Sequence, residues 1–435
     1  MRHAFAGRMK YAWLGCLLAG SLLFAGNQDS ETNVNTRYTV ETVTIQGDGW
    51  STDTVTNRDQ KLSSGLRREI ASLVGEKLNP TALDDLAKRL RKELHARSVE
   101  QHVLRGKQPD YVQVVFDVKL RPTRFDVSVP KFLYQGRQGW SGAVEGTAAI
   151  HQNGFTFGLV SDGDELAERY SGIEARYENS RLGTDRARLS FEFDSFHEQW
   201  NPATLADVPP PSANDTAAGD LYRTRENFQP TVTFVVARPL TVSFGASFER
   251  LDPEATGLVP APRLEAANAW LAGVNFHQDT EGAQYQQDFN GAYDMRMGTR
   301  SLGSDFAYAR HHWQFRYALT HGKHTLSDEA MAGVISGQAP LFERFVLGNS
   351  TTLRGWNKYD IDPLGGNRMV HNSVEYRYGA LQVFYDSGAI WDSGQTVIAR
   401  NSVGFGIRQG PFFVAMAFPL RDGRTDPIFM VGMNY

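Results

Sequence analysis

Glu375 and Asp386 sit in two segments whose residues alternate between apolar and polar types. Successive side chains of an extended strand point to opposite faces. In the first segment Val374, Tyr376 and Tyr378 take the apolar face, so Glu375 and Arg377 share the other. In the second, Leu381, Val383, Tyr385, Ala389 and Trp391 are apolar partners, which leaves Gln382, Asp386 and Asp392 opposite. Two carboxylates on neighbouring polar faces suit a guanidinium, which binds carboxylate through paired hydrogen bonds where water is partly excluded. Other chemistry-bearing residues fit their chemistry less well. His311 and His312, followed by His321 and His324, are metal-ligating types, yet adjacent strand residues cannot face one ion without a bulge. Asp162-Gly163-Asp164-Glu165 opens like a calcium loop and lacks its further ligand spacing, so a polar hairpin turn is expected. No Gly-x-Ser-x-Gly elbow stands out. Neither catalysis, a metal nor a cofactor is expected.

The elements that position these residues follow from composition and periodicity. A chain of 435 residues allows roughly two or three domains, and 41% hydrophobic content excludes intrinsic disorder. The 45 basic and 49 acidic residues give a net charge of −4 with no basic block, which argues against a nucleic-acid surface. A mean hydropathy of −0.40 with one long apolar run excludes a bundle of membrane helices, each of which needs about 20 apolar residues. A membrane β-barrel is not excluded, because only alternate residues of its strands face lipid. The 41 Gly, 26 Phe, 16 Tyr and 8 Trp suit that class.

The apolar run itself has the three parts of a secretory signal over residues 1–26: Arg2, Arg8 and Lys10, then Tyr11 to Phe24, then Ala25 and Gly26. Export is expected. Cys16, the single cysteine, is either a lipid-attachment site or an apolar filler of this run. Residues 38–121 read as a small α/β unit. Val40, Val43 and Ile45 mark a strand, and Leu62, Leu66, Ile70 and Leu73 a helix. Asn79 and Pro80 open a second helix with the stripe Leu83, Leu86, Leu90 and Leu94. Strands follow near Ser98 to Arg105 and Tyr111 to Leu120.

From Phe125 onward the pattern is mainly β, residues 125–435. Leu240, Val242, Phe244, Ala246 and Phe248 share one face, and Thr241, Ser243, Gly245, Ser247 and Glu249 the other. Sixteen strands are expected, beginning near residues 143, 154, 168, 186, 227, 240, 267, 285, 306, 321, 342, 368, 381, 401, 412 and 426. Arg238-Pro239 and Gly379-Ala380 read as short turns at one rim, and the Pro-rich insert from Trp200 to Asn227 as a loop at the other. Gly404 and Gly406 share a face with Arg408 and read as room for an inserted loop. Phe429, Val431, Met433 and Tyr435 alternate to an aromatic end, the form of a barrel-insertion signal; the plainer reading is an edge strand.

The segment from Phe345 onward resembles the bacterial surface antigen family, the outer-membrane assembly and translocation barrels that include BamA- and TamA-like proteins and two-partner secretion transporters. The likeness rests on Phe345-x-Leu347-Gly348 leading to Leu353-Arg354-Gly355-Trp356, then Glu375-Tyr376-Arg377 and Phe384-Tyr385-Asp386-Ser387-Gly388. Ser402 to Arg408 and Ala417-Phe418-Pro419-Leu420 follow in the family's order. The N-terminal unit is similar to a single POTRA domain, where family members usually carry more than one. The resemblance implies a transmembrane antiparallel barrel whose inserted loop, residues 349–368, carries Arg354 to the acidic partners Glu375 and Asp386. It implies an outer-membrane location with the N-terminal domain in the periplasm. The implied activity is insertion and assembly, or translocation, of other proteins, an unfolded client adding as a strand to the POTRA-like sheet. Implied partners are client proteins, outer-membrane lipid and accessory periplasmic proteins or lipoproteins. A dedicated secretion pore for one client is the nearest alternative; a passive diffusion porin, a barrel enzyme and lipid transport are others.

Overall fold

The computed structural model describes residues 37–47, 50–51, 62, 64–94, 96–120, 123–184, 186–208, 221–237, 239–253, 264–281, 285–421 and 426–433. The expected signal segment and Cys16 lie outside them. In the N-terminal part, strand β1 (Thr39–Gly47) and the two-residue β2 (Trp50–Ser51) precede helices α1 (Ser64–Leu73) and α2 (Pro80–Glu93). Strands β3 (Ala96–Arg105) and β4 (Tyr111–Leu120) complete a sheet in the order β2-β1-β4-β3, with β1 and β4 parallel. Asn79 caps α2, its side chain accepting from the N–H of Thr81 and Ala82, and Pro80 occupies the first turn where its missing donor costs nothing. The helical stripe Leu83, Leu86 and Leu90 is buried against Ile45, Val114, Phe116 and Val118 of the sheet.

The rest of the chain closes into a barrel. Its strands are β5 (Thr123–Gln135), β6 (Gly139–Ile150), β7 (Asn153–Asp162), β8 (Arg169–Asn179), β9 (Ala187–Gln199), β10 (Tyr222–Ala237), β11 (Leu240–Pro253), the two-residue β12 (Glu265–Ala266) and β13 (Ala269–Glu281). There follow β14 (Gln286–Gly298), β15 (Ala307–His321), β16 (His324–Gln338), β17 (Arg368–Tyr378), β18 (Leu381–Trp391), β19 (Arg400–Gln409), β20 (Phe412–Pro419) and β21 (Ile428–Met433). Apart from the short β12, sixteen antiparallel strands form the wall, each paired with its chain neighbour, and β21 pairs with β5 to close it. Short helices α3 (Pro202–Asp207) and α4 (Lys358–Ile361) lie in the connections.

The total of sixteen agrees with the residue pattern, but one member differs. The strand expected near 342 is a 3-10 turn, Leu341–Glu343, within a connection that runs from 339 to 367. Its apolar residues Leu341, Phe345 and Leu347 alternate because they pack in the lumen, not because they face lipid. The missing strand is β5, where Pro130 and a register shift between Ser128 and Lys131 interrupt the alternation. The inserted connection therefore also begins about ten residues before the expected position, at 339 instead of 349.

Alternation places the apolar face outside. Phe155, Phe157 and Leu159 of β7, Phe244 and Phe248 of β11, Leu381, Val383 and Tyr385 of β18, and Val403, Phe405 and Ile407 of β19 are all exposed. An exposed belt of this kind is the surface that hydrocarbon solvates. Inside, Ser247 and Glu249 are buried, as the opposite parity requires. Part of the lumen holds an apolar core: Leu341, Phe345, Leu347, Leu353 and Trp356 of the inserted connection pack with Tyr222, Tyr308, Ile335, Met369 and Ile390 from the strands. Among the described residues the closing seam is brief. Its ladder runs from Met430↔Gln135 to Met433↔Phe132, whereas β15 and β16 pair from Ala307↔Gln338 to His321↔His324.

Candidate functional site

The connection 339–367 folds back into the lumen, and Arg354 is its buried charged contact with β17 and β18. Leu353 is fully buried with φ 46°, a left-handed conformation that a branched side chain rarely adopts, and its N–H donates to Nε2 of His371 at 3.2 Å. That twist delivers Arg354 to Asp386. The Arg354 N–H and Nε both donate to Asp386 Oδ2 at 3.0 Å, and Nη2 donates to Oδ1 at 2.8 Å. Nη1 donates to Glu375 Oε2 at 3.3 Å, and Nη2 also reaches Ser373 Oγ at 3.0 Å. The guanidinium lies over the Phe384 ring, 3.5 Å from its centroid. Asp386 is fully buried and further held by the hydroxyls of Ser373 at 2.7 Å and Ser402 at 3.4 Å. A charge pair in such a place is sustained because every oxygen of the carboxylate has donors and a ring covers the cation's face.

Strand parity explains why these groups meet. Ser373 and Glu375 share the inward face of β17, and Phe384 and Asp386 that of β18. A Cβ at Gly404 would lie 2.1 Å from the Phe384 ring, so this glycine makes room for the ring on which Arg354 stacks, not directly for the loop. The loop's own close approach is at Gly355, where a Cβ would meet Ser402 Cβ at 2.7 Å and Phe418 C at 2.9 Å. Trp356 Nε1 donates to the Asn401 carbonyl at 2.8 Å between the guanidinium groups of Arg421 and Arg400. All four residues of the loop signature thus contact the wall or its lining.

Two further anchors lay outside the residues singled out from the sequence. The Asp162–Glu168 bend, set aside as a polar turn, receives the loop from the other side. Ser350 donates its N–H and hydroxyl to Asp164, and Asn349 Nδ2 donates to the Asp164 carbonyl at 2.8 Å. Lys358 is buried with its Nζ donating to the carbonyls of Gly163, Glu165 and Ala167. Burial draws this ammonium down to about 8, against the upward pull of Asp164, Glu165, Asp162 and Glu168. Lys131 of β5 pairs with both Asp162, at 2.6 Å, and Asp164, at 2.5 Å. The third anchor is Glu343, bound by Arg296 Nε at 2.8 Å and by the Tyr308 hydroxyl at 3.0 Å. The signal for Lys131 and Lys358 was a lone cation within an apolar or acidic neighbourhood; no periodicity marks it.

The remaining residues read from the sequence lie elsewhere. His311 faces outward, with Nδ1 2.8 Å from the Tyr293 hydroxyl, whereas His312 faces the lumen beside Phe345. His321 stacks on Tyr285, and His324 lies 2.6 Å from the Tyr376 hydroxyl. Phe429 is exposed on the outer face, Val431 and Met433 follow it in β21, and Tyr435 lies outside the described residues.

A model of the Omp85 superfamily domain matches residues 154–431. The chain is 26% identical over 268 residues to the outer membrane protein assembly factor BamA of Nitratidesulfovibrio vulgaris, an alignment covering 51% of this chain and 34% of that protein. This chain thus matches about a third of that relative's length. The fold is similar to that of BamA from Haemophilus ducreyi lacking POTRA domains 1–3, with a TM-score of 0.53 and 17% identity over 91% of this chain and 84% of that one. It is also similar to CdiB from Acinetobacter baumannii, at a TM-score of 0.50 and 14% identity over 91% and 74%. The closed sixteen-strand wall, the latched loop and the matched span lead to one conclusion: this chain is an outer-membrane β-barrel of the Omp85 superfamily.

Proposed function

We propose that this protein inserts and assembles other proteins in the outer membrane, its N-terminal α/β domain standing in the periplasm and receiving the client. The observation that carries the reading is the short described seam: among the described residues β21 pairs with β5 over Phe132–Gln135, with one more bond from the Gly136 N–H to the Phe429 carbonyl, while Thr123–Ser128 of β5 extends past the last described residue of β21. Strand edges that lack a partner in lipid are costly, and a client strand offers the missing hydrogen bonds. The N-terminal sheet supports the same reading, because β3 is its edge strand with Val103 and Leu104 exposed. An extended client would add there through main-chain bonds, with little demand on its sequence. The lumen core and latched loop argue against a freely open diffusion pore.

The test is depletion in the native host followed by quantification of the outer-membrane and secreted proteomes. Broad loss of β-barrels is expected. Disappearance of one secreted or surface protein, with other barrels intact, would replace assembly by dedicated secretion.

A further inference from the structure

The inserted loop contacts the wall on one side of the closing seam and, on the other, the Asp162–Glu168 bend that Lys131 of β5 binds. On one bank Arg354 binds β17 and β18, Gly355 packs on Ser402 and on Phe418-Pro419, and Trp356 bonds to Asn401. On the other bank stands Lys131 of β5, the seam strand itself. Lys131 holds Asp164, and Asp164 holds Ser350 through its N–H at 3.1 Å and its hydroxyl at 2.7 Å. Between the banks, the described ladder joining β21 to β5 is four residue pairs long.

We propose that Lys131, Asp164 and Ser350 form a second anchor, which makes the loop a strap across the seam. With Arg354 fixed to β18 and Ser350 tied through Asp164 to Lys131 of β5, parting the two edges strains both anchors, while Asn349 and Lys358 hold the loop to the same Asp162–Glu168 bend. These are positioning residues: they regulate the seam and touch no client. The proposal rests on the functional reading above only in treating the seam as the working part of the barrel.

The physical case is one of relative strength. A short backbone ladder contributes modestly, because each bond replaces one to water or to another strand. The strap is charge-assisted, and the Lys131 and Asp164 side chains are only 18% and 16% exposed, so salt screens them less than a surface pair. Lys131 also serves Asp162, so its removal leaves two neighbouring carboxylates without their shared cation. Lys358 ties the loop to the carbonyls of the same bend, whereas Lys131 carries the link from that bend to β5.

The test places nitroxides at Tyr134→Cys and Val431→Cys, which face each other across the seam, in the purified full chain carrying Cys16→Ser. The parent barrel gives a spectrum broadened by close spin–spin coupling. Lys131→Met is expected to raise the uncoupled, open fraction about fivefold, and Lys131→Arg to restore coupling. Because the anchors act in series, Arg354→Ala combined with Lys131→Met opens the seam no further than the stronger single variant. A Lys131→Met barrel that keeps full coupling while Arg354→Ala opens overturns the strap, as do two effects that simply add. If Lys131→Met does not fold, Ser350→Ala removes the hydroxyl from Asp164 while its N–H stays, and is read in the same direction with a smaller rise in the open fraction. No client takes part in this readout. A barrel that shows the strap but assembles no clients would therefore sink the functional reading and leave this one standing.

Discussion

Arg354 concentrates the largest consequences of any single side chain. Replacing it with alanine leaves Asp386 buried and without its cation, a change that typically destabilises by about 3–5 kcal/mol. The gel-shift transition on heating should fall accordingly in Arg354→Ala. Arg354→Lys should recover only part of the loss, because an ammonium cannot span both Asp386 oxygens and Glu375 while lying flat on Phe384. His371 acts on the same point through the backbone. Its Nε2 must be unprotonated to accept from Leu353, so His371→Leu should release the twist that aims Arg354, whereas His371→Gln can keep an acceptor there. Trypsin sensitivity of the loop, compared between the two variants, reads the difference. The inward facing of Glu375 and Asp386 was legible from alternation, and their pairing with Arg354 from the family resemblance. Ser373 and Phe384 have the same parity and escaped notice because a small hydroxyl and an aromatic ring resemble ordinary strand filling.

At the scale of elements, the inserted connection behaves as a packed segment with a core, not as a surface loop. Lys358→Met keeps the volume but strips three carbonyls of their donor, so the Asp162–Glu168 bend should lose its grip on the loop and the barrel should lose about 1–3 kcal/mol. Gly404→Val tests the opposite bank. Its side chain would occupy the space of the Phe384 ring, and a similar loss of about 1–3 kcal/mol in heat stability is expected. The N-terminal domain has a local test independent of both: Asn79→Ala removes the cap of α2 and should lower that domain's stability by about 1 kcal/mol, measured by chemical denaturation.

For the whole molecule, the short described seam is the feature on which the proposed assembly function turns. A disulfide between Tyr134→Cys and Val431→Cys would join β5 to β21 covalently. Under the proposed assembly function, oxidation should abolish client insertion and reduction restore it; a lumenal exporter would continue to work with the seam locked. The two parts of the chain meet through a single described ion pair, Arg67 of α1 with Asp279 of β13 at 3.1 Å, both side chains half exposed. Such a pair is worth little in water. Arg67→Ala should therefore leave the heat stability of the barrel within about 0.5 kcal/mol, and the covalent link to β5 remains the principal constraint on the domain.

The sequence by itself determined the fold class, because hydrophobic period is a local property: helical spacing in Leu83, Leu86 and Leu90, and period-two spacing from Phe125 onward. It also determined which faces Glu375 and Asp386 present, since parity within a strand needs no distant information. Tertiary structure alone decided the rest. β5 was hidden by Pro130 and its register shift, and Leu341 to Leu347 mimicked a strand because a lumen core alternates like a lipid face. The tie from Lys131 to Asp164 to Ser350 joins residues far apart in the chain, and no spacing rule relates them. Closing the barrel brings β5 beside β21 and sets the loop between β17–β20 and the Asp162–Glu168 bend; only that closure turns isolated charges into anchors.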